Sequence, residues 1–345
     1  MDERKQSILL NVVDDYIQNA EPVGSRSIAK NYIEKLSAAT IRNVMSDLED
    51  LGFLKQPHPS AGRVPTDKGY RFFVDQLLRP PNFLEEADNF TSQENNGKNL
   101  YEVLEKACIN LSQSTNHTGL VMIPSFSNTL FKHIEFIKVG QKEALAVFFS
   151  ELGVLQNKVI PIEKEITQDD LTSISRYLNE EFSGKSIKRI RQELLHALKH
   201  EKAHYNKLMQ KALEFSSQII SEEKENDAET LLVEGALNLF DHPEFKVDLE
   251  KIKLLLKTLE EKTKLIKLLD LCLQHDGMTI FIGEENQAEE MEGCSLIAQN
   301  YQMGNEKMGT VAIVGPKRMD YKSAIALVNH TAKSVSKMIS EQNRS

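Results

Sequence analysis

The segment 38–50, AATIRNVMSDLED, combines short and hydrogen-bonding side chains at helical spacing. On a helix, the side opposite its apolar stripe would carry Ala39, Arg42, Asn43 and Ser46, with Thr40 on the flank. Arginine can bind a guanine edge through two hydrogen bonds, asparagine can pair with adenine, and alanine can contact a thymine methyl. The pattern predicts a helix that reads double-stranded DNA in the major groove, although an ordinary amphipathic surface helix would show the same periodicity.

Three short helices are predicted around this segment. The first carries apolar residues at helical spacing from Ile8 to Ile17, and it should end near Asn19 because Pro22 and Gly24 follow. Serines precede the second and third helices as candidate N-caps: Ser25 or Ser27, and Ser37. A left-handed stop at Gly52 should end the third helix. Helices joined by such short turns indicate a helix-turn-helix core.

A hairpin is predicted directly behind the third helix. Its strands would be 53–56 and 62–65, joined by the loop 58–61, and Thr66 would cap the next helix. The prolines would stiffen the tip, the glycine would allow close backbone approach, and Arg63 would reach a phosphate or the minor groove. A plain surface hairpin fits the segment alone, but together with the three helices it indicates a winged helix.

The charge of the chain is unevenly distributed. The formal net charge is -9, yet the segments 22–46 and 51–74 each hold four Lys or Arg residues against one acid. The cations of the second segment include Arg63, Lys68 and Arg71. Clustered cations in an acidic protein indicate an anionic partner such as nucleic acid, although a solvated surface is the commoner explanation of such patches.

Three stretches of the sequence together resemble one family. They are EPVGSRSIAKNY, LSAATIRNVMSDLEDLGFLKQPHPSAGRVPTDKGYRFFVD and, far downstream, GTVAIVGPKRMDY. They are similar to the heat-inducible transcription repressors of the HrcA family, and the N-terminal similarity runs almost unbroken from Ser7 to Asp75. The resemblance implies a homodimer that binds the CIRCE inverted-repeat operator upstream of chaperone operons, with the GroEL chaperonin as a partner that keeps the repressor active.

The resemblance also names residues. Together with the helical pattern, it makes the following positions the DNA-contact candidates: Arg26, Ala39, Thr40, Arg42, Asn43, Ser46, Ser60, Gly62 and Arg63. The operator's identity follows from the resemblance, whereas charge and spacing predict only DNA.

The rest of the chain predicts an α+β fold. Residues 1–79 would form the winged-helix domain and 80–98 a polar linker. Strand-like runs in 99–165 and 276–345, separated by a long helical block, indicate one domain with an insertion. The resemblance implies that this domain is GAF-like and that the mainly helical insert, 166–275, contributes to dimerisation. Intramolecular core is the alternative role for its leucine-rich segment.

Two other patterns could do chemistry. His196, His200 and His204 recur at the spacing of metal ligands on a helix, but they lie off the apolar stripe with no supporting carboxylate, and we expect no metal there. The stretch 304–310 has the glycine spacing of a phosphate loop but lacks its lysine and precedes a strand. No common catalytic motif is present, so we expect neither an enzyme nor a cofactor.

Composition limits the protein class. The apolar runs are too short to span a bilayer, and the first residues, MDERKQS, do not resemble a signal peptide, so a cytoplasmic location is expected. Cys108, Cys272 and Cys294 are widely spaced, which favours buried thiols over disulfides or zinc. Two other functions stay open: a metabolite-responsive regulator with a ligand pocket over the GAF-like sheet, and an enzyme with an incidental winged domain.

Overall fold

The structure is a computed structural model, and it describes residues 1–31, 36–79, 100–124, 131–150, 155–162, 166–185, 189–190, 193, 231–246, 249–286, 288–303 and 306–342. The helices are α1 Glu3–Asn19, α2 Ser25–Asn31, α3 Ala38–Asp50, α4 Asp67–Leu78, α5 Leu100–Thr115, α6 Gln168–Phe182, α7 Pro243–Lys246, α8 Leu249–Glu260, α9 Lys262–Gln274 and α10 Tyr321–Gln342. The strands are β1 Leu54–Lys55, β2 Val64–Pro65, β3 Thr118–Met122, β4 Phe131–Lys138, β5 Glu143–Ser150, β6 Leu155–Pro161, β7 Leu231–Glu234, β8 Met278–Ile282, β9 Cys294–Met303 and β10 Glu306–Pro316.

The helices α1–α4 and the hairpin β1–β2 form a winged helix-turn-helix head. Its core is built from the apolar faces of α1, α3 and α4, where Ile8, Val12, Ile41, Leu48 and Val74 are fully buried. The predicted three helices, hairpin and fourth helix are confirmed, because each apolar stripe finds a partner across this small core.

A central sheet of five antiparallel strands follows, in the order β7-β3-β10-β9-β8. Alternate residues of β10 face opposite sides of it. Val311 and Ile313 belong to the core shared with α5 and α10, whereas Ala312 and Val314 belong to the core shared with α8 and α9. Both faces of this GAF-like sheet are therefore covered by apolar side chains.

A second sheet is separate from the first. Strands β4-β5-β6 are antiparallel, and one face packs on α6 around Phe136, Ala146 and Phe148. The sequence assigned these strands to the GAF-like domain, but they pair with one another and bury a core of their own. We therefore propose that the insert begins before Phe131 and not at 166, and the other domain limits remain predictions.

The mainly helical insert predicted between 166 and 275 also contains a strand. Strand β7 lies inside it and pairs with β3, with Leu120 opposite Val233. Five residues of α8 and α9 occupy the intramolecular core: Leu255, Leu259, Leu265, Leu268 and Leu269. The linker 80–98 and the three histidines at 196, 200 and 204 lie outside the described residues.

The head and the central sheet share one apolar core. Residues of the head such as Val12 and Tyr70 belong to the same buried cluster as Ile313 and Val335 of the body. The rings of Tyr70 and Tyr321 lie 6.1 Å apart between their centroids. The head therefore packs on the face of the sheet that α5 and α10 cover.

The three cysteines are buried and free, as the sequence predicts. Burial raises the pKa of each thiol, of Cys108, Cys272 and Cys294, to about 12. They are therefore uncharged at neutral pH and pack as small apolar residues. Among the helices of the described ranges, none combines the length and the apolar character needed to cross a bilayer.

The connection after β7 generates a stability prediction. Gly235 has φ +70°, and a Cβ there would lie 1.9 Å from Ser112 Oγ, whereas Gly277 has φ +82° with nothing within 4 Å. Gly277→Ala measures the cost of the left-handed backbone alone, about 1–2 kcal/mol. We expect Gly235→Ala to lower the free energy of unfolding by about 2 kcal/mol more, because the backbone must also move. Equal losses in thermal or denaturant unfolding would contradict this close approach.

Candidate nucleic-acid interface

The third helix is built to present one face. Ser37 caps it by accepting a hydrogen bond from the Thr40 amide at 3.1 Å. Three residues, Ile41, Met45 and Leu48, are buried on its inner side. At its end Gly52 has φ +78° and donates its amide to the Glu49 carbonyl at 2.8 Å. Local signals therefore fix both ends, and the core fixes the rotation of the helix about its axis.

The predicted base-reading residues lie on the outer side. Ala39, Arg42, Asn43 and Ser46 are all exposed, while Thr40 is half-buried with its hydroxyl 2.8 Å from that of Ser37. Short, uncharged side chains surround the guanidinium of Arg42, so the face is free of acids over its first turns. This is the geometry that a recognition helix needs to enter a major groove.

Two further candidates flank this face. Arg26 is exposed on α2, and Ser60 is exposed in the loop of the hairpin. Gly62 is half-buried, and a Cβ there would lie 2.3 Å from the Val23 carbonyl oxygen. The two backbones lie this close because Val23 and Arg63 form a β-bridge, with two hydrogen bonds of 2.9 Å each. Gly62 therefore positions the wing against the turn before α2.

The expectation that Arg63 reaches a phosphate or the minor groove does not fit the structure. Its side chain is only 18% exposed and forms an ion pair with Glu49, 2.8 Å between Nη2 and Oε2. The other carboxylate oxygen of Glu49 accepts the Gln56 amide at 3.1 Å. Glu49 thus ties the wing to the recognition helix. No sequence pattern assigns this role to Glu49, because both of its partners lie on the hairpin that follows the helix.

The tip of the wing is held by one side chain. Gln56 Nε2 donates to the carbonyl oxygens of Pro59 at 2.9 Å and Ala61 at 3.0 Å. The Ala61 amide donates in turn to the His58 carbonyl at 2.9 Å. The loop that carries Ser60 is therefore ordered from within, and not only by its prolines.

Two other cations of the segment 51–74, Lys68 and Arg71, also bond within the protein. Lys68 donates to the Leu51 carbonyl at 2.9 Å, above the ring of Phe53. Arg71 donates to the Ile280 carbonyl at 2.6 Å and pairs with Glu285, both in the body. The local positive charge of this segment therefore belongs mostly to tertiary contacts. Exposed cations among the described residues of the head include Arg26, Lys30, Arg42 and Lys55.

Apolar side chains of the described residues cover both faces of the central sheet, and this observation gives the ligand-sensor hypothesis no support. A cleft of about 930 Å³ lies instead between the head and the body, and His117 and Arg318 are among its lining residues. Desolvation lowers the pKa of His117 to about 4. Thr310, from the glycine-spaced stretch, is fully buried in β10 and donates to Asn300 at 2.9 Å.

Two family models match almost the whole chain. Residues 1–77 match the winged helix-turn-helix DNA-binding domain of the transcription repressor HrcA, and residues 101–325 match the HrcA C-terminal domain. The chain belongs to the HrcA family of heat-inducible transcription repressors. Its winged helix-turn-helix head is thereby a DNA-binding domain, and the family is not a class of enzymes.

Curated HrcA proteins match over their full length. The heat-inducible transcription repressor HrcA of Geobacter sulfurreducens is 40% identical over 339 residues, covering 98% of each chain. That of Desulforamulus reducens is 36% identical and covers 98% of this chain and 97% of its own. A solved structure described as a hypothetical protein has a TM-score of 0.64 at 25% identity and covers 99% of both chains.

The contact between Glu49 and the wing gives a prediction with a matched control. Glu49→Ala removes the partner of Arg63 and of the Gln56 amide, so we expect a loss of about 1–3 kcal/mol of stability. DNA affinity should fall too, even though the variant removes a negative charge from the head. Asp50→Ala removes the same charge from an exposed position and should leave affinity unchanged or higher. Thermal unfolding and gel-shift titrations on one DNA would measure both, and similar behaviour of the two variants would contradict this role for Glu49.

Proposed function

We propose that this HrcA-family protein is a homodimer that binds the CIRCE inverted repeat upstream of chaperone operons, represses them, and releases the operator on heat stress. The observation that carries the proposal is the exposed face of α3. Arg42 and Asn43 are exposed on this face and can reach base edges, and no acidic side chain lies on the face over its first turns. Family membership supports the heat-inducible repression.

The candidate residues divide into three groups by role. Arg42, Asn43, Ala39 and Ser46 would contact bases, and Arg26, Thr40 and Ser60 would contact the backbone or flanking groove. Gly62 and Arg63 would act indirectly by holding the wing, because the first lies against Val23 and the second pairs with Glu49. This changes the predicted role of Arg63 from a DNA contact to a positioning residue.

There is a physical reason to expect a dimer, and the structure offers a candidate surface for it. An inverted repeat has two-fold symmetry, so two heads at a fixed spacing bind it far better than separate heads. The face of the sheet β4-β5-β6 that points away from α6 carries Ile137, Leu145 and Val159 side by side in register. Ile137 is 40% exposed and Val159 is 55% exposed. A second copy of the same apolar face would cover these residues.

The chaperonin partner, the cytoplasmic location, the lack of catalytic activity and the heat release each rest on a single argument. The family resemblance alone supports the GroEL partner. DNA as the target supports a cytoplasmic location, and membership of a repressor family supports a protein without catalytic activity. Heat release requires only that the dimer or the head lose structure within a few degrees, and marginal stability makes a few kcal/mol sufficient.

Base reading by α3 predicts a loss of specificity. Arg42→Ala should weaken binding to the operator by about 1–3 kcal/mol more than binding to random DNA. Lys30→Ala, which removes an exposed cation from α2, should weaken both about equally and make the salt dependence shallower. Gel-shift titrations at several salt concentrations measure both effects. If Arg42→Ala weakens both DNAs equally, Arg42 contacts the backbone and the base-reading assignment is wrong.

The open sheet face predicts a dimer-specific variant. Val159→Lys places a charge in the centre of that face, and we expect it to shift the protein towards monomer at micromolar concentration, because an unpaired charge is costly to bury. Glu180→Lys adds the same side chain on the exposed side of α6 and should leave the dimer intact. Analytical ultracentrifugation distinguishes the two. An unchanged dimer in Val159→Lys would mean that the interface lies elsewhere.

A further inference from the structure

Polar contacts at the start of α4 attach the head to the body. Asp67 Oδ1 lies 2.6 Å from Lys317 Nζ, and Asp67 Oδ2 accepts the Glu284 amide at 3.1 Å. Both side chains of the ion pair are less than one-third exposed. Gly283 makes this approach possible, since its φ is +57° and a Cβ there would lie 1.9 Å from Asp67 Oδ2. The backbone at Gly283 therefore leaves the Asp67 carboxylate the room that a side chain at position 283 would occupy.

One turn later, Arg71 makes the second contact. Its Nε donates to Glu285 Oε1 at 2.8 Å, and its Nη2 donates to the Ile280 carbonyl at 2.6 Å and to the other oxygen of Glu285. Glu285 Oε2 also accepts the Ile282 amide at 2.9 Å, which fixes the carboxylate on the body. The planar guanidinium is thus held in two directions, and an ammonium group could not reproduce that geometry.

The third contact lies at the end of α1. Arg318 Nη1 donates to the Ile17 carbonyl at 2.7 Å, and its Nε donates to Glu244. The Arg318 side chain is only 16% exposed. The three contacts reach the head at Ile17, Asp67 and Arg71, on two different helices. Three separate points of attachment prevent a rigid body from rotating, which a single contact does not.

These contacts join the stretches that carry the family resemblance. TDKGYR, at residues 66–71, meets GPKRMDY, at residues 315–321, although about 250 residues separate them: Asp67 pairs with Lys317, and Tyr70 lies against Tyr321. With the head held in this way, the side chains of Ala39, Arg42 and Asn43 are exposed. The attachment therefore uses another side of the head from the one that faces DNA.

We propose that Asp67, Arg71, Lys317 and Arg318 are positioning residues that fix the angle of the winged head on the body, and thereby the spacing of the two heads on DNA. This rests on the proposed binding of an inverted repeat by a homodimer. Partly exposed ion pairs add little to stability, but several of them with hydrogen-bond geometry define an orientation. A head free to rotate would lower the effective concentration of the second reading helix at its half-site.

The test uses the full-length protein and charge reversal. Lys317→Glu faces Asp67 with a like charge, whereas Lys322→Glu makes the same change at an exposed residue five positions later and serves as the control. Asp67→Lys combined with Lys317→Glu restores opposite charges. Each protein is titrated on three DNAs: the operator, an operator whose spacer is lengthened by about half a helical turn, roughly five base pairs, and a single half-site. Circular dichroism and ultracentrifugation verify the fold and the dimer.

We expect Lys317→Glu to bind the operator about tenfold more weakly, to bind the half-site as the unaltered protein does, and to discriminate less between the two spacers. The double variant should recover part of the spacer preference, and Lys322→Glu should retain all of it. An unchanged spacer preference, an equal effect of Lys322→Glu, or tighter operator binding by Lys317→Glu would each overturn the proposal. If the unaltered protein itself shows no preference for the inverted repeat, the proposed function fails first, which separates the two.

Discussion

The packing of the winged head on the central sheet is the constraint on which the rest of the structure depends. The head is small, and it contributes only part of the buried apolar cluster that it shares with the sheet. Part of its apolar surface is buried only because Tyr70 and its neighbours enter the cluster that includes Tyr321 and Val335. The reading helix is consequently attached to a body more than twice its size. Loosening of that body would move the reading surface as well as the sheet.

Polar contacts in this protein mostly orient elements that apolar burial holds together. Glu49 fixes the wing to α3, and Asp67 and Arg71 fix the head on the body. Each pair is partly exposed, so its contribution to stability is small beside that of the buried core. The relative orientation that each pair imposes is nevertheless specific, because a carboxylate and a guanidinium form strong hydrogen bonds in few geometries. Three cations of the segment 51–74, Arg63, Lys68 and Arg71, thus bond to the protein itself.

A repressor whose DNA-binding head loses structure on warming releases DNA as a direct consequence of unfolding. Three apolar cores differ in size: the one shared by the head and the central sheet, the one on the other face of that sheet, and the one of β4-β5-β6. Small units generally lose structure more easily than large ones. If DNA binds the folded head and not the unfolded one, binding and folding are thermodynamically linked. A modest loss of stability in either the head or its attachment would therefore weaken repression.

The sequence by itself determined the local elements and the chemical character of the reading face. Ser37, Gly52 and Thr66 set the ends of helices through caps that involve neighbours only a few residues away, and the apolar period of α3 set which side faces outward. Pairing over long distances was decided by the tertiary structure alone. Strand β7 is four residues long, and its sequence has no periodicity that marks it as a strand. Only its pairing with β3 makes it one. Likewise, a charge count shows that Arg63 and Arg71 are cations, but their partners Glu49 and Glu285 become neighbours only when the chain has folded, because ion pairing depends on distance in space and not along the sequence.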